Sequence, residues 1–415
     1  MDRNFRLTAG RIAVASALAC SVSFAAAQDK PKPPPAWHQG KPAALTDSKL
    51  APLPGKLTET PANEIPLDKL KLPKGFKAEL WASGLPGGRA MARGDKGKIY
   101  LGTRALGRVY EVTDAGDTRS VRVVVDKLTQ PAGVAFKDGA LYVFAIDKVL
   151  RYDGIEDKPD AQPVDMTAAF NLPPEQHHNW KYVRFGPDNK LYVPFGAPCN
   201  ICEVSGEYAQ IRRYNADGSG MEVIATGVRN TVGFDWHPKT GELWFTDHGR
   251  DWMGEDGPED ELNRLTKPGQ NFGFPYCHAK GVADVDIKKA DPCKGVTLPV
   301  TTMGPHSAVM GVQFYTGSMF PKEYQNTMFI ARKGSWNRTV KFGFDVVNVQ
   351  PSADGKGAKV KPFMTGFLED PKEGKFWGRP AYILQMPDGA LLVSDEQLGA
   401  IYRVSYKAEA AAKKK

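Results

Sequence analysis

A short theme recurs along the chain: a turn carrying Asp, Asn or Gly, then a strand in which apolar and polar positions alternate. It occupies residues 97–102, 139–143, 188–193, 241–246 and 389–393, and less regularly 326–330. Period-2 alternation bounded by turn residues predicts a β-strand. Several copies are followed by a second strand ending in an arginine–aromatic pair, as in Arg151-Tyr152, Arg213-Tyr214 and Tyr402-Arg403. Six copies at intervals of roughly 40 to 85 residues fit one β-sheet blade each. Such blades cannot bury both faces alone, so radial stacking into a closed ring follows. The expected fold is all-β, a six-bladed β-propeller with long functional loops over residues 71–406. The competing arrangement is a two-sheet sandwich. Residues 249–311 form the widest interval and read as a long ordered insertion. Residues 28–70, with Lys30-Pro31-Lys32-Pro33-Pro34-Pro35, read as a tether or wrapping arm without regular structure. Residues 407–415 read as a polar tail.

Composition narrows the class. With 41% hydrophobic and 25% charged residues over 415 positions, the chain is neither disordered nor a multi-span membrane protein. Its 42 glycines and 32 prolines argue against a helical bundle. The formal charge of +8 suits anionic small ligands but lacks the dense basic stripe of a nucleic-acid binder.

Arg3, Arg6 and Arg11 precede an apolar stretch over 12–24 and the small residues Ala25-Ala26-Ala27. Residues 1–27 therefore read as a secretory leader, giving a periplasmic or secreted protein with no transmembrane span in the mature chain. A lipid-modified Cys20 is the competing reading. Removing the leader leaves Cys199, Cys202, Cys277 and Cys293. In an oxidising compartment these suggest two disulfides, and of the three pairings the local ones, 199 with 202 and 277 with 293, are preferred. A zinc site is the alternative. Glu203 follows Cys202, so the histidine of a c-type haem attachment is absent.

The chain lacks a nucleophile elbow, an H-E-x-x-H helix, a Walker loop and a dinucleotide fingerprint. Chemistry is instead expected from polar residues at the blade ends. His177-His178-Asn179-Trp180 offers a general base, or merely a turn cap. Gly227-Val228-Arg229-Asn230 offers a forked cation for an anionic group, or a solvated charge. Seven acidic residues lie between Asp247 and Glu261, which suits calcium or an acidic surface loop. Arg332-Lys333-Gly334-Ser335-Trp336-Asn337-Arg338 and Trp377-Gly378-Arg379-Pro380 add cations and flat apolar rings. Converging on one channel, these cations would receive a small polyanion.

Taken together and in this order, these residues resemble the soluble quinoprotein sugar dehydrogenases that use pyrroloquinoline quinone (PQQ), in particular their sorbosone-dehydrogenase-like branch. The resemblance covers roughly 72–404. It rests on Leu72-Pro73-Lys74-Gly75-Phe76, His177-His178-Asn179, Gly227-Val228-Arg229-Asn230, Asp260-Glu261-Leu262-Asn263, Asn271-Phe272-Gly273-Phe274-Pro275, Lys333 to Arg338, Gly378-Arg379-Pro380 and the stretch from Asp388 to Asp395. It implies that His178 takes the proton from the sugar's anomeric hydroxyl while Arg229 hydrogen-bonds the quinone oxygen that becomes negative. It implies cofactor contacts from Asn230, Lys333, Arg338 and Arg379, and from Arg89, an arginine that departs from the family pattern at the first-blade position. Gly257, Pro258 and Asp260 stand where a calcium-binding loop is implied. With no haem motif, electrons would pass to a separate acceptor such as a periplasmic cytochrome or quinone. The alternatives are a calcium-dependent lactonase-like propeller hydrolase and a non-catalytic binding propeller.

Overall fold

The computed structural model describes residues 36–408. The leader, Cys20 and most of the expected tail lie outside the described residues. Six antiparallel sheets carry the fold, and each follows chain order from its first strand outward. Blade 1 comprises Gly88–Arg93, Ile99–Thr103, Val109–Asp114 and Arg119–Val125. Blade 2 comprises Gly133–Lys137, Ala140–Phe144, Val149–Asp153 and Val164–Asp165. Blade 3 comprises Arg184–Phe185, Leu191–Phe195, Gln210–Tyr214 and Glu222–Thr226. Blade 4 comprises Phe234–Trp236, Leu243–Asp247, Glu259–Leu265 and Thr301–Pro305. Blade 5 comprises Val309–Phe314, Met328–Arg332, Asp345–Pro351 and Ala358–Met364. Blade 6 takes Pro380–Gln385, Leu391–Asp395 and Ala400–Tyr406, then borrows Phe76–Ala82 from the start of the ring as its outer strand. First strands of neighbouring blades touch one another, so they line the axis. The protein is a six-bladed β-propeller.

Each recurring theme in the sequence is the second strand of a blade. These strands are buried along nearly their whole length because neighbouring blades cover both faces. Their apolar–polar alternation therefore does not mark a wet face. The polar positions, such as Thr246 and Ser394, are buried and bonded to backbone carbonyls. The borrowed strand closes the ring through its ladder with Ala400–Tyr406 and through Phe76, whose ring meets Phe320 at 4.8 Å and Phe363 at 4.9 Å in blade 5.

The interval 249–311, expected as an ordered insertion, supplies both outer strands of blade 4. Its acidic run divides: Asp256 stands on an exposed loop, while Asp260 and Glu261 sit buried in the strand Glu259–Leu265. The remainder adds Gln270–Asn271 to the edge of blade 3 and carries the Cys277–Cys293 disulfide; Cys199–Cys202 forms the other. The arm does contain regular structure, four single 3₁₀ turns at Ala36–His38, Ala43–Leu45, Ala62–Glu64 and Leu67–Lys69. Among the described residues no helix is long and apolar enough to cross a membrane.

Candidate functional site

The loops at one end of the propeller enclose a cavity of about 330 Å³. Of the residues singled out by sequence, Arg89, His178, Arg229, Asn230, Asp260, Lys333 and Arg379 line it. They come from loops and strand ends of five blades, with Arg89 and Arg379 at the two extremes of the chain, so only closure of the ring brings them together.

His178 has a left-handed backbone, φ 52°, and is 7% exposed. Its Nδ1 lies 3.1 Å from the Ala197 carbonyl. A carbonyl can only accept, so Nδ1 carries the hydrogen and Nε2 keeps its lone pair. Burial first, then the adjoining His177 and the Arg229 charge, holds the imidazolium well below the usual histidine range. The ring is therefore neutral at pH 7 and ready to accept a proton at Nε2. Gly196 makes this seat possible. A Cβ there would meet the His178 carbonyl and lie 2.7 Å from the His178 Cβ.

A second group gathers around Glu396. Arg89 forks onto its carboxylate with Nε at 2.7 Å and Nη2 at 3.1 Å, and the Lys333 ammonium pairs with it from the other side. Arg379 spends Nε and Nη2 on the carbonyls of Lys333 and Gly334. Arg104 lies over the Trp180 ring at 3.9 Å. Four basic side chains thus face a single carboxylate. Burial and the mutual repulsion of these cations lower Arg104 and Arg379 to about 10. Burial pushes Glu396 up, but Arg89 and Lys333 outweigh it and hold the carboxyl below its usual range. Arg89 Nη1, His177 Nε2, Trp180 Nε1, Asn230 Oδ1 and Asn337 Oδ1 are buried without a partner, and all belong to residues lining the cavity. Such orphans and surplus charge fit a polar anion.

Arg229 differs from these. Nε donates to the Asn200 carbonyl at 2.9 Å, Nη1 to the carbonyls of His248 and Gly249, and Nη2 to Asn200 Oδ1 and Asp251 Oδ2. Every guanidinium N–H is committed to protein. In this structure Arg229 pins loops and supplies potential, with its N–H groups engaged by protein, where the resemblance implies a donor to a quinone oxygen. Its neighbour Asn230 donates Nδ2 to His248 Nδ1 at 3.0 Å, while His248 Nε2 donates to the Val309 carbonyl. This chain of bonds fixes the Asn230 amide and leaves Oδ1 as the free acceptor.

Comparison with known proteins places this site in a family. The family model described as glucose/sorbosone dehydrogenase matches residues 165–333, the stretch holding His178, Arg229, Asn230, Asp260 and Lys333. An uncharacterized protein of Borreliella burgdorferi is 33% identical over 351 residues, covering 81% of this chain and 91% of its own. The chain belongs to the glucose/sorbosone dehydrogenase family.

Solved structures share the family's fold. A Trichoderma reesei carbohydrate-active enzyme of family AA12 superposes with a TM-score of 0.67 at 19% identity, covering 81% of this chain and 98% of that one. The PQQ domain of pyranose dehydrogenase from Coprinopsis cinerea, in its holo form, gives 0.64 at 19% identity, covering 81% and 97%. The PQQ-bound form of an aldose sugar dehydrogenase from Streptomyces coelicolor gives 0.57 at 18% identity, covering 81% and 100%.

Within this member of the glucose/sorbosone dehydrogenase family, the structure also places five other residues singled out by sequence. Arg338 does not line the cavity; it clamps the loop at the Glu255 carbonyl and at Asp256 Oδ1. Gly257 and Pro258 also lie outside the lining. Asp260 is in it, yet its Oδ1 accepts the Gly249 N–H at 2.9 Å and its Oδ2 the Ser307 hydroxyl at 3.0 Å. Among the described residues no group of three or more His, Cys, Asp or Glu side chains could hold a metal. The carbonyls implied at Gly257 and Pro258 are backbone ligands, separate from any such side-chain group, and no step is derived through calcium. Trp377 turns away as well, donating Nε1 to the Gly366 carbonyl.

Sequence reading missed Arg104, His248, Glu396, Gly196, Asn200 and Trp37. Glu396 had one usable signal, following directly on Asp395 at the end of a recurring strand. His248 carried the same signal, following Asp247 at the end of another recurring strand, and the remaining positions have their partners far off in the chain.

Proposed function

We propose that this protein is an exported sugar dehydrogenase that binds PQQ over the cluster of cations and oxidises an aldose or related sugar at its C1 hydroxyl or aldehyde. The single observation behind this reading is a neutral histidine with a free Nε2 sharing one cavity with four basic side chains. Arg89, Arg104, Lys333 and Arg379 would hold the three carboxylates, and Asn230 Oδ1 and Trp180 Nε1 would meet its ring polar groups. Bound there, the quinone would supply the two-electron acceptor for the hydrogen leaving the sugar carbon with its electron pair. His178 Nε2 accepts the hydroxyl proton, and the Nδ1 bond to Ala197 keeps that tautomer in place. The arginines exclude bulk water and lower the cost of negative charge developing beside them. Electrons then leave to a separate carrier. Two disulfides and the leader-like opening support export.

The test is to mix purified protein with PQQ, with and without calcium, and to follow dye reduction across a panel of aldoses. Sugar-dependent reduction that requires the quinone supports the reading. Failure to bind the quinone overturns it. A hydrolase centred on a carboxylate-held metal finds no matching ligand cluster among the described residues.

A further inference from the structure

The arm preceding the ring runs across the mouth of the cavity. At its start Trp37 packs edge-on to Trp336 with centroids 5.8 Å apart, and Trp252 donates Nε1 to the Trp37 carbonyl at 2.6 Å. Gln39 accepts the Asn200 backbone N–H at 3.0 Å through Oε1 and the Asn200 Nδ2 at 2.7 Å through its carbonyl. These anchors belong to loops of blades 3, 4 and 5. Further along, Ala51, Pro52 and Leu53 line the cavity itself. A Cβ on Gly55 would then lie 3.5 Å from Ala105 of blade 1 and 3.6 Å from Glu396 of blade 6. The segment thus enters over one side of the ring and leaves over the other, and it contributes four of the lining residues.

Resting on the proposed dehydrogenase reading, we propose that residues 37–53 of this arm set the size limit of the substrate: the cavity admits a single sugar ring, with Trp37 and Leu53 as walls, and excludes an oligosaccharide. Three physical points support it. A volume of about 330 Å³ is at the low end for ligand pockets and is shared with a three-ring cofactor. The walls are apolar and rigid on the arm side, where Pro52 and the indole have little freedom to move aside. The arm is fastened at the roof by hydrogen bonds to Asn200, whose carbonyl and Oδ1 also hold Arg229, so it belongs to the same bonded network as the site.

The full-length mature chain and two substituted forms, Leu53→Ala and the double Trp37→Ala/Gln39→Ala, are compared with D-glucose and maltotriose as probes. Binding of each sugar to the quinone-loaded protein is measured by calorimetry and, separately, kcat/KM is measured by dye reduction. Thermal unfolding selects the folded forms, and the two variants perturb different points of the wall so that one suffices. The proposal expects the maltotriose-to-glucose ratio to rise at least tenfold in affinity and in kcat/KM. A ratio unchanged within twofold in the folded variants, or maltotriose matching glucose in the parent chain, overturns it. Binding of neither sugar to any form overturns the dehydrogenase reading itself, a different result from an unchanged ratio.

Discussion

The carboxylate of Asp247 accepts the backbone N–H of Arg229 at 2.8 Å. Its other oxygen takes the N–H of Asn230 at 2.6 Å. The arrangement repeats two blades away, where Asp395 accepts the N–H of Arg379 at 2.9 Å. In both blades an aspartate ending the second strand holds the residue that enters the first. The repeat of the fold thereby becomes a repeat of site geometry, with arginines delivered to one cavity by equivalent bonds.

Replacing that aspartate with alanine strands two buried N–H groups. Asp247→Ala should destabilise the protein by about 2–5 kcal/mol. Urea unfolding measures it, and a loss under 1 kcal/mol would show that the pair is not a structural tie.

His178→Ala should lower kcat/KM for sugar oxidation by roughly 10²–10⁴-fold while quinone binding persists. Dye reduction and a quinone titration separate the two effects. Loss of quinone affinity would move His178 from the sugar to the cofactor.

The pH profile follows from the same residue. Burial first, then the adjoining His177 and the Arg229 charge, lowers the His178 imidazolium below the ordinary 6.5. The base therefore stays unprotonated as pH falls through 6.5, and the acid limb of kcat/KM should lie well below that value. A limb centred at 6.5 would mean an imidazole open to solvent. For stability the sign is the same. An unfolded histidine binds its proton near 6.5 and the folded one resists, so stability is lost as pH falls from 6.5 toward the folded value.

Gly196→Ala tests the seat rather than the base. The added methyl would press on the His178 backbone, so kcat should fall at least tenfold and stability should drop by about 1–3 kcal/mol. Normal turnover would show that His178 tolerates displacement.

Arg379→Ala should weaken quinone binding by roughly 10–100-fold, the worth of one charge-assisted bond. Arg338→Ala should leave that affinity within twofold, because its guanidinium is spent on the loop at Glu255 and Asp256. Equal losses from both would place Arg338 in the cavity after all.

The fold was readable because every blade reuses one strand pattern, and Ile99, Leu191 and Leu391 each show it within a few residues of a turn. The arginines and His178 were readable as residue types at blade ends. Their availability was not: Arg229 and Arg379 look alike in sequence, yet Asn200, Asp251 and the carbonyls of His248 and Gly249 saturate the first while the second keeps Nη1 without a protein acceptor among the described residues. The acidic run was half legible, because composition cannot tell a wet loop, such as the one holding Asp256, from a buried strand, and Asp260 is buried by a ladder with residues some forty positions later.

Local periodicity and residue chemistry, both carried by neighbours along the chain, determined the six blades and the kinds of side chain at their ends. Which side chains share a cavity, which donors remain unspent and what roofs the opening depended on ring closure and on the path of the arm. Those are contacts between segments far apart in sequence, set by the packing of the whole, and no local pattern encodes them.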